Sequence, residues 1–286
     1  MPQPLNLVSD SILVQEAFEI LQRRRDGRAS AAHLAAAVLQ LPDLDQLTAA
    51  MLISELISND CRLRLTDTHE VEIVCEDVEV RALAESDFVV VDVETTGAKS
   101  PPGRITEIGA YRVSGGRVVD EFQTLLNPEV PIPPFIVGLT GITDQMVKGA
   151  PLFAEIAADW LDFAGRSVLV AHNAQFDVRF INHEVARVFP GQRMLNSQLC
   201  TVGLSRRMIP DLLNHRLHTV AEHFSVKIYN RHRAAGDALA TAEIFIRLLE
   251  ILDRHGVRDL ASARRFRPET RGQWSAVSSQ RSANSY

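Results

Sequence analysis

The sequence lacks a membrane-spanning segment, because it contains no run of about 18 consecutive apolar residues. Residues 1–6 also lack the basic stretch and apolar core of a secretory signal peptide. Cysteine is scarce: Cys61, Cys75 and Cys200 make an odd number and do not have the spacing of a metal site. We therefore expect a reduced, cytoplasmic protein that does not associate with membranes.

An excess of positive charge is also missing, since the net charge of −6 is opposite to that of most nucleic-acid-binding proteins. The charge is unevenly distributed, with seven Lys/Arg and fourteen Asp/Glu in residues 1–84 but seven Arg and two acids in residues 254–286. The basic end favours contact with a polyanion, and a solvated, flexible tail is the alternative. With 286 residues, of which 46% are hydrophobic, the chain can form one large or two ordinary domains.

Three helices followed by a β-hairpin are predicted in the first 84 residues, a pattern that resembles a winged-helix domain. The helices are predicted from the apolar spacing and the hairpin from period-two alternation, over residues 11–25, 31–39, 46–58 and 62–74. The third helix carries no Lys or Arg between Asp45 and Asp60. Because duplex DNA is bound mainly through basic side chains, direct base readout is not expected. We expect this domain to have a structural role or to dock a protein.

A buried strand that ends in two acids is the most informative stretch of the chain. The apolar run Phe88–Val91 leads into Asp92 and Glu94, and it is typical of a buried strand. Side chains two residues apart on a strand point to the same side, so the two carboxylates should converge. Converging carboxylates repel each other unless a cation such as Mg²⁺ neutralises them. The alternative is a strand end at which both acids are merely solvated.

The rest of the chain predicts an α/β domain with a mixed sheet, because a hairpin is followed by strands that alternate with helices. The predicted elements are the hairpin strands Ile105–Val113 and Arg117–Leu126, a proline-rich connection over 127–134, a helix over 154–164, the buried strand Val168–Ala171, the helix Phe176–Val188, a short helix Leu217–Phe224 and a long helix Ala235–Leu252.

Three short motifs lie at element boundaries of this domain. His172–Asp177 connects a buried strand to a helix, His232–Asp237 leads into the last long helix, and Leu139–Thr143 is a loop of small residues between the sheet and a helix. Each has an ordinary explanation when it is taken alone. An acid in the first turn of a helix is favoured by the helix dipole, and a small-residue loop is a common helix entry.

In chain order, the acids and the histidine form the series Asp-x-Glu, Asp and His-x-x-x-x-Asp. This series resembles the DEDDh 3′–5′ exonucleases, the DnaQ-like group that includes the epsilon-type proofreading subunit and the PolC-type exonuclease domain. The resemblance covers roughly residues 86–252 and is supported by Ile105–Ala110, by Leu139–Thr143 and by the His-Arg-Leu sequence at 215–217. One departure is Cys200, where relatives often have an aspartate.

The resemblance implies a ribonuclease-H-like α/β fold, in which helices flank a mixed five-stranded sheet. In the chain, this α/β domain follows a small α+β domain that resembles a winged helix. We accordingly divide the chain into a winged-helix-like domain over 1–84, an exonuclease domain over 85–254 and a basic, flexible tail over 255–286.

The resemblance also implies a site for two divalent cations, Mg²⁺ with Mn²⁺ able to substitute. Asp92, Glu94, Asp177 and Asp237 would be their ligands, and His232 would be the general base that takes a proton from the attacking water. Two such ions can hold the attacking and leaving oxygens of an in-line displacement. The ordinary pKa of histidine, near 6.5, suits a general base.

A set of substrate-binding residues is implied by the same resemblance. The residues after the first acids would bind the terminal nucleotide, the small-residue loop would contact its base, and the second motif would line the cleft. They are Thr95, Thr96, Gly97, Leu139, Thr140, Gly141, Ile142, His172, Asn173 and Phe176.

The function expected from the resemblance is removal of nucleoside 5′-monophosphates from the 3′ ends of single-stranded or frayed DNA, in proofreading or repair. Two alternatives stay open. The acids would serve a 3′–5′ exoribonuclease equally well, because the 2′-hydroxyl is recognised elsewhere. A non-catalytic adaptor that acts through the winged-helix-like domain is the other alternative.

Overall fold

The computed structural model describes residues 6–75 and 78–268, and the first of these ranges contains the three predicted helices and the predicted hairpin. Its elements are β1 (Leu7–Ser9), α1 (Ile12–Gln22), β2 (Arg28–Ser30), α2 (Ala31–Val38), α3 (Gln46–Ile57), β3 (Leu63–Leu65) and β4 (Glu70–Ile73).

Local sequence signals start two of these helices. The side chains of Ser30 and Asp45 accept hydrogen bonds from backbone N–H groups in the first turns of α2 and α3, as helix-capping residues do. The three helices pack around Leu21, Leu34 and Ile53 and against an antiparallel sheet of order β2–β4–β3. The likeness of this unit to a winged helix stays a prediction.

The second range forms an α/β domain. Its strands are β5 (Phe88–Thr95), β6 (Ile105–Ser114), β7 (Arg117–Leu125), β8 (Val168–Ala171), β9 (Gln192–Met194) and β10 (Gln198–Cys200). Its α-helices are α4 (Pro134–Thr140), α5 (Asp144–Val147), α6 (Phe153–Ala164), α7 (Ala174–Val188), α8 (Thr201–Met208), α9 (Leu217–His223), α10 (Ala234–Arg254) and α11 (Leu260–Arg265). Among the described residues, no helix is both long and apolar enough to cross a membrane.

A mixed five-stranded sheet of order β10–β8–β5–β6–β7 is the centre of this domain. The strands β5, β6 and β7 are antiparallel neighbours, whereas β8 runs parallel to β5 and β10 runs parallel to β8. This arrangement confirms the predicted α/β fold class with a mixed sheet and flanking helices.

Alternation along β5 decides which side of the sheet carries the two acids. Val89 and Val91 pack into the core that contains α6 and α7, whereas Phe88 and Val90 pack into the core that contains α8, α9 and α10. Asp92 is in phase with Phe88 and Val90, so the period-two rule assigns it to the α10 side. The acids of β5 therefore lie on the side of the sheet where the last long helix packs.

The first described strand, β1, belongs to a sheet with the α/β domain, although it precedes the boundary that we predicted at residue 84. β1 pairs antiparallel with β9 of the α/β domain, and Leu7 and Val8 are only 2% and 0% exposed. The side-chain amide of Asn6 donates to the backbone carbonyl of Leu161 on α6 at 3.2 Å. The chain therefore begins its described course in the larger domain and only then forms the smaller one.

The first part of the segment that we predicted as a flexible tail from residue 255 packs on the α/β domain. Leu83 donates its backbone N–H to the carbonyl of Arg258 at 2.7 Å, and Leu260 and Ala263 of α11 are buried in the domain core. The segment that leads into β5 thus pairs with the segment predicted as a tail, since Ala82 also forms a β-bridge with Asp259. The rest of the predicted tail, residues 269–286, lies outside the described residues.

The small-residue loop that we predicted at Leu139–Thr143 is the junction of two short helices. Leu139 and Thr140 are the last residues of α4, and Gly141 follows them in the left-handed conformation with φ 71°. Thr143 then caps α5 by accepting a hydrogen bond from the backbone N–H of Met146. The helix α4 was not predicted, because it begins at a proline of a stretch that we interpreted as a proline-rich connection. Proline is nevertheless well tolerated in the first turn of a helix.

We predict that Leu7→Ala destabilises the α/β domain by about 2–5 kcal/mol, because it leaves a cavity under β1. Urea unfolding followed by tryptophan fluorescence would measure this loss, since Trp160 is fully buried in the same core cluster as Leu7. Leu47→Ala is the matched control, because Leu47 is 64% exposed. The control should change the free energy of unfolding by less than about 0.5 kcal/mol. Equal effects of the two variants would contradict the placement of β1.

Candidate active site

Three carboxylates converge where β5 meets the first turn of α10. Asp92, Glu94 and Asp237 each place a carboxylate oxygen within 4.8 Å of the oxygens of the other two. Asp92 and Glu94 come from one strand, as the spacing predicted, and Asp237 comes from a helix that begins 140 residues later in the chain. The fold therefore brings together three of the four predicted metal ligands in one cluster.

Asp177, the fourth predicted ligand, approaches β5 from α7. Its Oδ1 accepts a hydrogen bond of 3.2 Å from the backbone N–H of Val93, the residue between Asp92 and Glu94. The side chain of Asp177 is only 3% exposed. This hydrogen bond fixes the Asp177 carboxylate beside β5, although Asp177 is not in the group of three whose oxygens all lie within 4.8 Å of one another.

Burial and mutual repulsion make these carboxylates hard to ionise. Burial, together with the neighbouring charges of Asp177, Glu94 and Asp237, raises the pKa of Asp92 well above its ordinary value. The pKa of Glu94 rises to about 8, mainly by burial and then by repulsion from Asp237 and Glu107. Burial raises the pKa of Asp177 to about 7 and also raises the pKa of Asp237. A nearby cation would relieve this repulsion.

The residues of the cluster fit a divalent metal ion. The Oδ1 atom of Asp237 is buried and has no hydrogen-bond partner in the protein, whereas its Oδ2 accepts from the backbone N–H of His232 at 3.0 Å. A buried carboxylate oxygen without a partner is costly unless it binds an ion or water. Carboxylate oxygens alone are the donor set that hard cations such as Mg²⁺ prefer.

His232, the predicted general base, lies on a tight loop that folds back over the start of α10. His232 itself has a left-handed backbone, with φ 62°. Gly236 allows the loop to approach the helix, since a Cβ atom there would lie 1.8 Å from the carbonyl oxygen of Tyr229. The hydrogen bond from His232 to Asp237 then links the loop directly to the candidate metal ligand.

The predicted nucleotide-binding residues after Glu94 form a turn with internal hydrogen bonds. The hydroxyl of Thr95 donates to the carbonyl of Gly97 at 2.7 Å, and the hydroxyl of Thr96 accepts from the backbone N–H of Arg104 at 3.0 Å. Both threonines are buried. Their hydroxyls shape this turn, and a β-bulge between Glu94 and Thr95 bends the strand at the same point.

The predicted base-contacting loop has one exposed apolar side chain and two that are turned inward. Leu139 is 52% exposed, whereas Thr140 and Ile142 are buried. The hydroxyl of Thr140 donates to the carbonyl of Ile136 at 3.0 Å. The side chains of Thr140 and Ile142 pack the junction of α4 and α5, and their contact with substrate stays a prediction. Of this set, Leu139 keeps an apolar side chain on the surface, and Gly141 supplies the left-handed turn.

Both ring nitrogens of His172, a predicted cleft residue, lie within hydrogen-bond distance of other protein groups. Its Nδ1 lies 2.9 Å from the hydroxyl oxygen of Thr201, and its Nε2 lies 2.9 Å from the carbonyl oxygen of His215. Burial lowers the pKa of His172 to about 4. The ring is therefore neutral near pH 7, and both of its nitrogens are used to connect β8, α8 and the segment before α9.

The other two predicted cleft residues differ in exposure. Asn173 is exposed and has a left-handed backbone with φ 96°. Phe176 is half-buried and packs against Phe180, with 4.9 Å between the ring centroids. Cys200, the departure from the pattern of the relatives, is half-buried at the end of β10, where it pairs in register with Ala171. Nothing in the structure explains the cysteine at that position.

The match to a protein family agrees with this geometry. A family model described as an exonuclease, of the RNase_T type, matches residues 89–245. The chain belongs to this exonuclease family. The matched range includes every predicted catalytic residue, from Asp92 to Asp237. The predicted membership in the DnaQ-like exonucleases is thereby confirmed.

Relatives among characterised proteins include replicative polymerase components. A PolC-type DNA polymerase III from Caldanaerobacter subterraneus is 46% identical over 183 residues, which are 64% of this chain and 13% of that protein. The epsilon subunit of DNA polymerase III from Aquifex aeolicus is 38% identical over 185 residues, which are 64% of this chain and 91% of that protein. The chain thus spans only a small part of the PolC-type relatives.

Solved structures show the same fold at lower identity. Exonuclease I from E. coli, in complex with a dT13 oligonucleotide, superposes with a TM-score of 0.52 and 20% identity, covering 60% of this chain and 42% of that one. This likeness confirms the ribonuclease-H-like exonuclease fold.

Two charged residues beside the cluster, Glu107 and Arg233, had no predicted role. Glu107 on β6 is only 6% exposed, and Arg233 immediately precedes α10. Both belong to motifs that carried the family resemblance, and a buried acid in an apolar strand is itself an unusual feature. The sequence therefore marked Glu107 as unusual. Its partner Arg233 lies 126 residues further along the chain, so the sequence alone did not reveal the pair.

We predict that the metal-free protein becomes less stable as pH rises from about 5 to about 8. Carboxylates of the unfolded chain ionise near pH 4, whereas Glu94 and Asp177 keep their protons to about pH 8 and 7 in the fold. In this window the folded state binds more protons, so the free energy of unfolding falls with pH. Thermal unfolding in EDTA would measure the slope, and added Mg²⁺ should stabilise the protein more at pH 8 than at pH 5.

The variant Glu94→Gln should flatten this slope and raise the melting temperature of the metal-free protein at pH 8. Asp159→Asn is the control, because Asp159 is an exposed acid on α6. If the melting temperature of Glu94→Gln falls with pH as steeply as that of the wild type, Glu94 is not a source of the pH dependence.

Proposed function

We propose that this chain is a metal-dependent 3′–5′ exonuclease that removes nucleoside 5′-monophosphates from single-stranded or frayed DNA ends. The observation that carries the proposal is the convergence of Asp92, Glu94 and Asp237, with a buried oxygen of Asp237 left without a partner in the protein. Membership in the exonuclease family supports the reaction class.

The four carboxylates would hold two divalent cations, with Asp92 shared between the two positions. Glu94 and Asp237 would complete one position and Asp177 would serve the other. Such ions, when bound, lower the pKa of a water molecule and stabilise charge on phosphate oxygens. We propose Mg²⁺ as the physiological ion, with Mn²⁺ able to replace it, because all donors are carboxylate oxygens.

His232 would accept the proton of the attacking water. The water oxygen forms a bond to phosphorus, the bond from phosphorus to the 3′ oxygen of the preceding nucleotide breaks, and that oxygen takes a proton from solvent. The terminal nucleotide then leaves as a 5′-monophosphate. The backbone hydrogen bond from His232 to Asp237 supports this role, because it joins the loop of the proposed base to a proposed metal ligand.

DNA is the proposed substrate because several relatives are named as components of a DNA polymerase. Several relatives are named as DNA polymerase III PolC-type and epsilon proteins, and the E. coli exonuclease I structure contains an oligonucleotide of deoxythymidine. Leu139, with its exposed apolar side chain, is the candidate contact for the terminal base, since stacking and apolar contacts tolerate any base.

Digestion of 5′-labelled single-stranded DNA and RNA of one sequence, with Mg²⁺, tests this proposal. A descending ladder on DNA that EDTA abolishes is the expected result. His232→Ala should lower the rate by about 10²–10⁴-fold, as loss of a general base does, and Asp92→Asn should abolish cleavage. Asp159→Asn should cleave at the wild-type rate.

Two outcomes would contradict the proposal in different ways. A ladder mainly on RNA would keep the mechanism and replace the substrate. Absence of cleavage on both nucleic acids, with Mn²⁺ giving no activity either, would favour the non-catalytic adaptor.

We further propose that residues 11–75 form a separate unit that docks a polymerase or a repair factor, while residues 78–268 together with β1 form the catalytic unit. The surface of α3 supports this proposal, because it exposes Leu47 and Met51 and carries no Lys or Arg. Apolar surface without positive charge is suited to a protein partner and unsuited to phosphate contacts.

The double variant Leu47→Glu/Met51→Glu should leave DNA affinity and the cleavage rate unchanged, if α3 does not contact DNA. Fluorescence anisotropy with labelled DNA would measure the affinity over a series of salt concentrations. Weaker binding with a changed salt dependence would place α3 on the DNA and overturn the docking role.

A further inference from the structure

We propose that Glu107 and Arg233 are positioning residues, whose ion pair holds the first turn of α10 at the distance from β5 that the metal cluster requires. We call this pair, with the backbone N–H of Ala234, the β6–α10 clasp. The inference rests on the proposed function for its catalytic meaning, but its effect on cation binding can be measured without any nuclease assay.

The clasp consists of several hydrogen bonds to one carboxylate. Arg233 donates from Nη2 to Oε1 of Glu107 at 2.7 Å and from Nε to Oε2 at 3.0 Å, and the N–H of Ala234 donates to Oε2 at 2.9 Å. The side chain of Glu107 is only 8% exposed and that of Arg233 is 36% exposed. A bidentate arginine–carboxylate pair of this kind fixes orientation as well as distance.

The clasp acts at the part of the sheet that carries the cluster. In the pairing of β5 with β6, Glu107 is opposite Glu94 and Gly109 is opposite Asp92. A Cβ atom on Gly109 would lie 2.4 Å from the backbone nitrogen of Ala235. The backbone of α10 therefore lies directly on β6 beside Asp92, and the clasp holds it there from one side.

Two functional groups depend on where this first turn lies. Asp237 follows Arg233 by one helical turn, and its backbone N–H donates to the carbonyl of Arg233 at 3.1 Å. His232 immediately precedes Arg233 and donates its N–H to Asp237. A displacement of Arg233 would move the candidate ligand Asp237 and the candidate base His232 together, relative to Asp92 and Glu94.

A purely electrostatic role makes a different prediction from a positioning role. Burial and repulsion from Asp237 and Glu107 raise the pKa of Glu94, and the positive charge of Arg233 opposes a small part of that rise. By charge alone, Arg233→Gln should strengthen cation binding and Glu107→Gln should weaken it. If the pair acts as a clasp, both substitutions should weaken cation binding, because both release the start of α10.

Titration of the full-length, metal-free protein with Mn²⁺, followed by electron paramagnetic resonance, tests the clasp. We expect Arg233→Gln and Glu107→Gln each to lower Mn²⁺ affinity by about tenfold or more, as loss of a group that orients a metal ligand does. The double variant should be little worse than either single one, because residues that form one unit are not additive. Wild-type or tighter Mn²⁺ binding by Arg233→Gln would overturn the proposal.

Arg233→Lys provides a second test in which the charge is kept. A lysine cannot form the bidentate pair, so the clasp predicts weaker Mn²⁺ binding, whereas a role for charge alone predicts wild-type binding. Arg247→Gln is the matched control, because it removes an ion pair to Glu250 on the exposed surface of the same helix. The control should bind Mn²⁺ as the wild type does, and thermal unfolding would confirm that each variant is folded.

Cleavage kinetics separate failure of this inference from failure of the proposed function. If the wild type degrades DNA, the clasp variants should lower kcat and leave the KM for DNA unchanged, since Glu107 and Arg233 position the metal ligand and base and do not bind the strand. An active wild type with variants of unchanged kcat and unchanged Mn²⁺ affinity would refute the clasp alone. A wild type that binds Mn²⁺ but cleaves no nucleic acid would refute the proposed function alone.

Discussion

Repulsion between buried carboxylates is the constraint on which the catalytic domain depends. Asp92, Glu94, Asp177 and Asp237 are brought to the end of one strand from three separate elements, and burial raises the pKa of each. Nothing in their own chemistry favours this arrangement without a cation. The rest of the domain must therefore supply the free energy that holds them together.

The sheet and two helices supply that free energy through contacts outside the cluster. β5 is hydrogen-bonded on both sides, to β6 and to β8, so its acids cannot move apart by bending the strand away. Val93 binds Asp177 through its backbone N–H, and α10 packs directly on β6 at Gly109. Each carboxylate is thus attached to a part of the core that would have to shift before the cluster could relax.

The smaller N-terminal unit is joined to this domain more closely than a linker would join it. β1 pairs with β9, and the backbone N–H of Cys61, in the smaller unit, donates to the carbonyl of Leu7 at 3.0 Å. Leu260 and Ala263 of α11 pack in the core of the α/β domain, in the same cluster as Val78 and Leu83 of the segment that follows the smaller unit. Two segments that looked peripheral in the sequence, β1 and α11, are therefore parts of the larger domain.

Local patterns in the sequence determined the strand that ends in Asp92 and Glu94, the capped helices of the N-terminal unit, the mixed α/β class and the order of the catalytic residues. These features depend on the alternation of side-chain direction and on short capping motifs, both of which are set by residues close together in the chain. Tertiary structure alone decided that Ile142 is buried, that both nitrogens of His172 are occupied, that β1 crosses to β9 and that Glu107 meets Arg233. Each of these depends on residues far apart in the chain, whose contact is set by how the sheet and helices pack and not by any local preference.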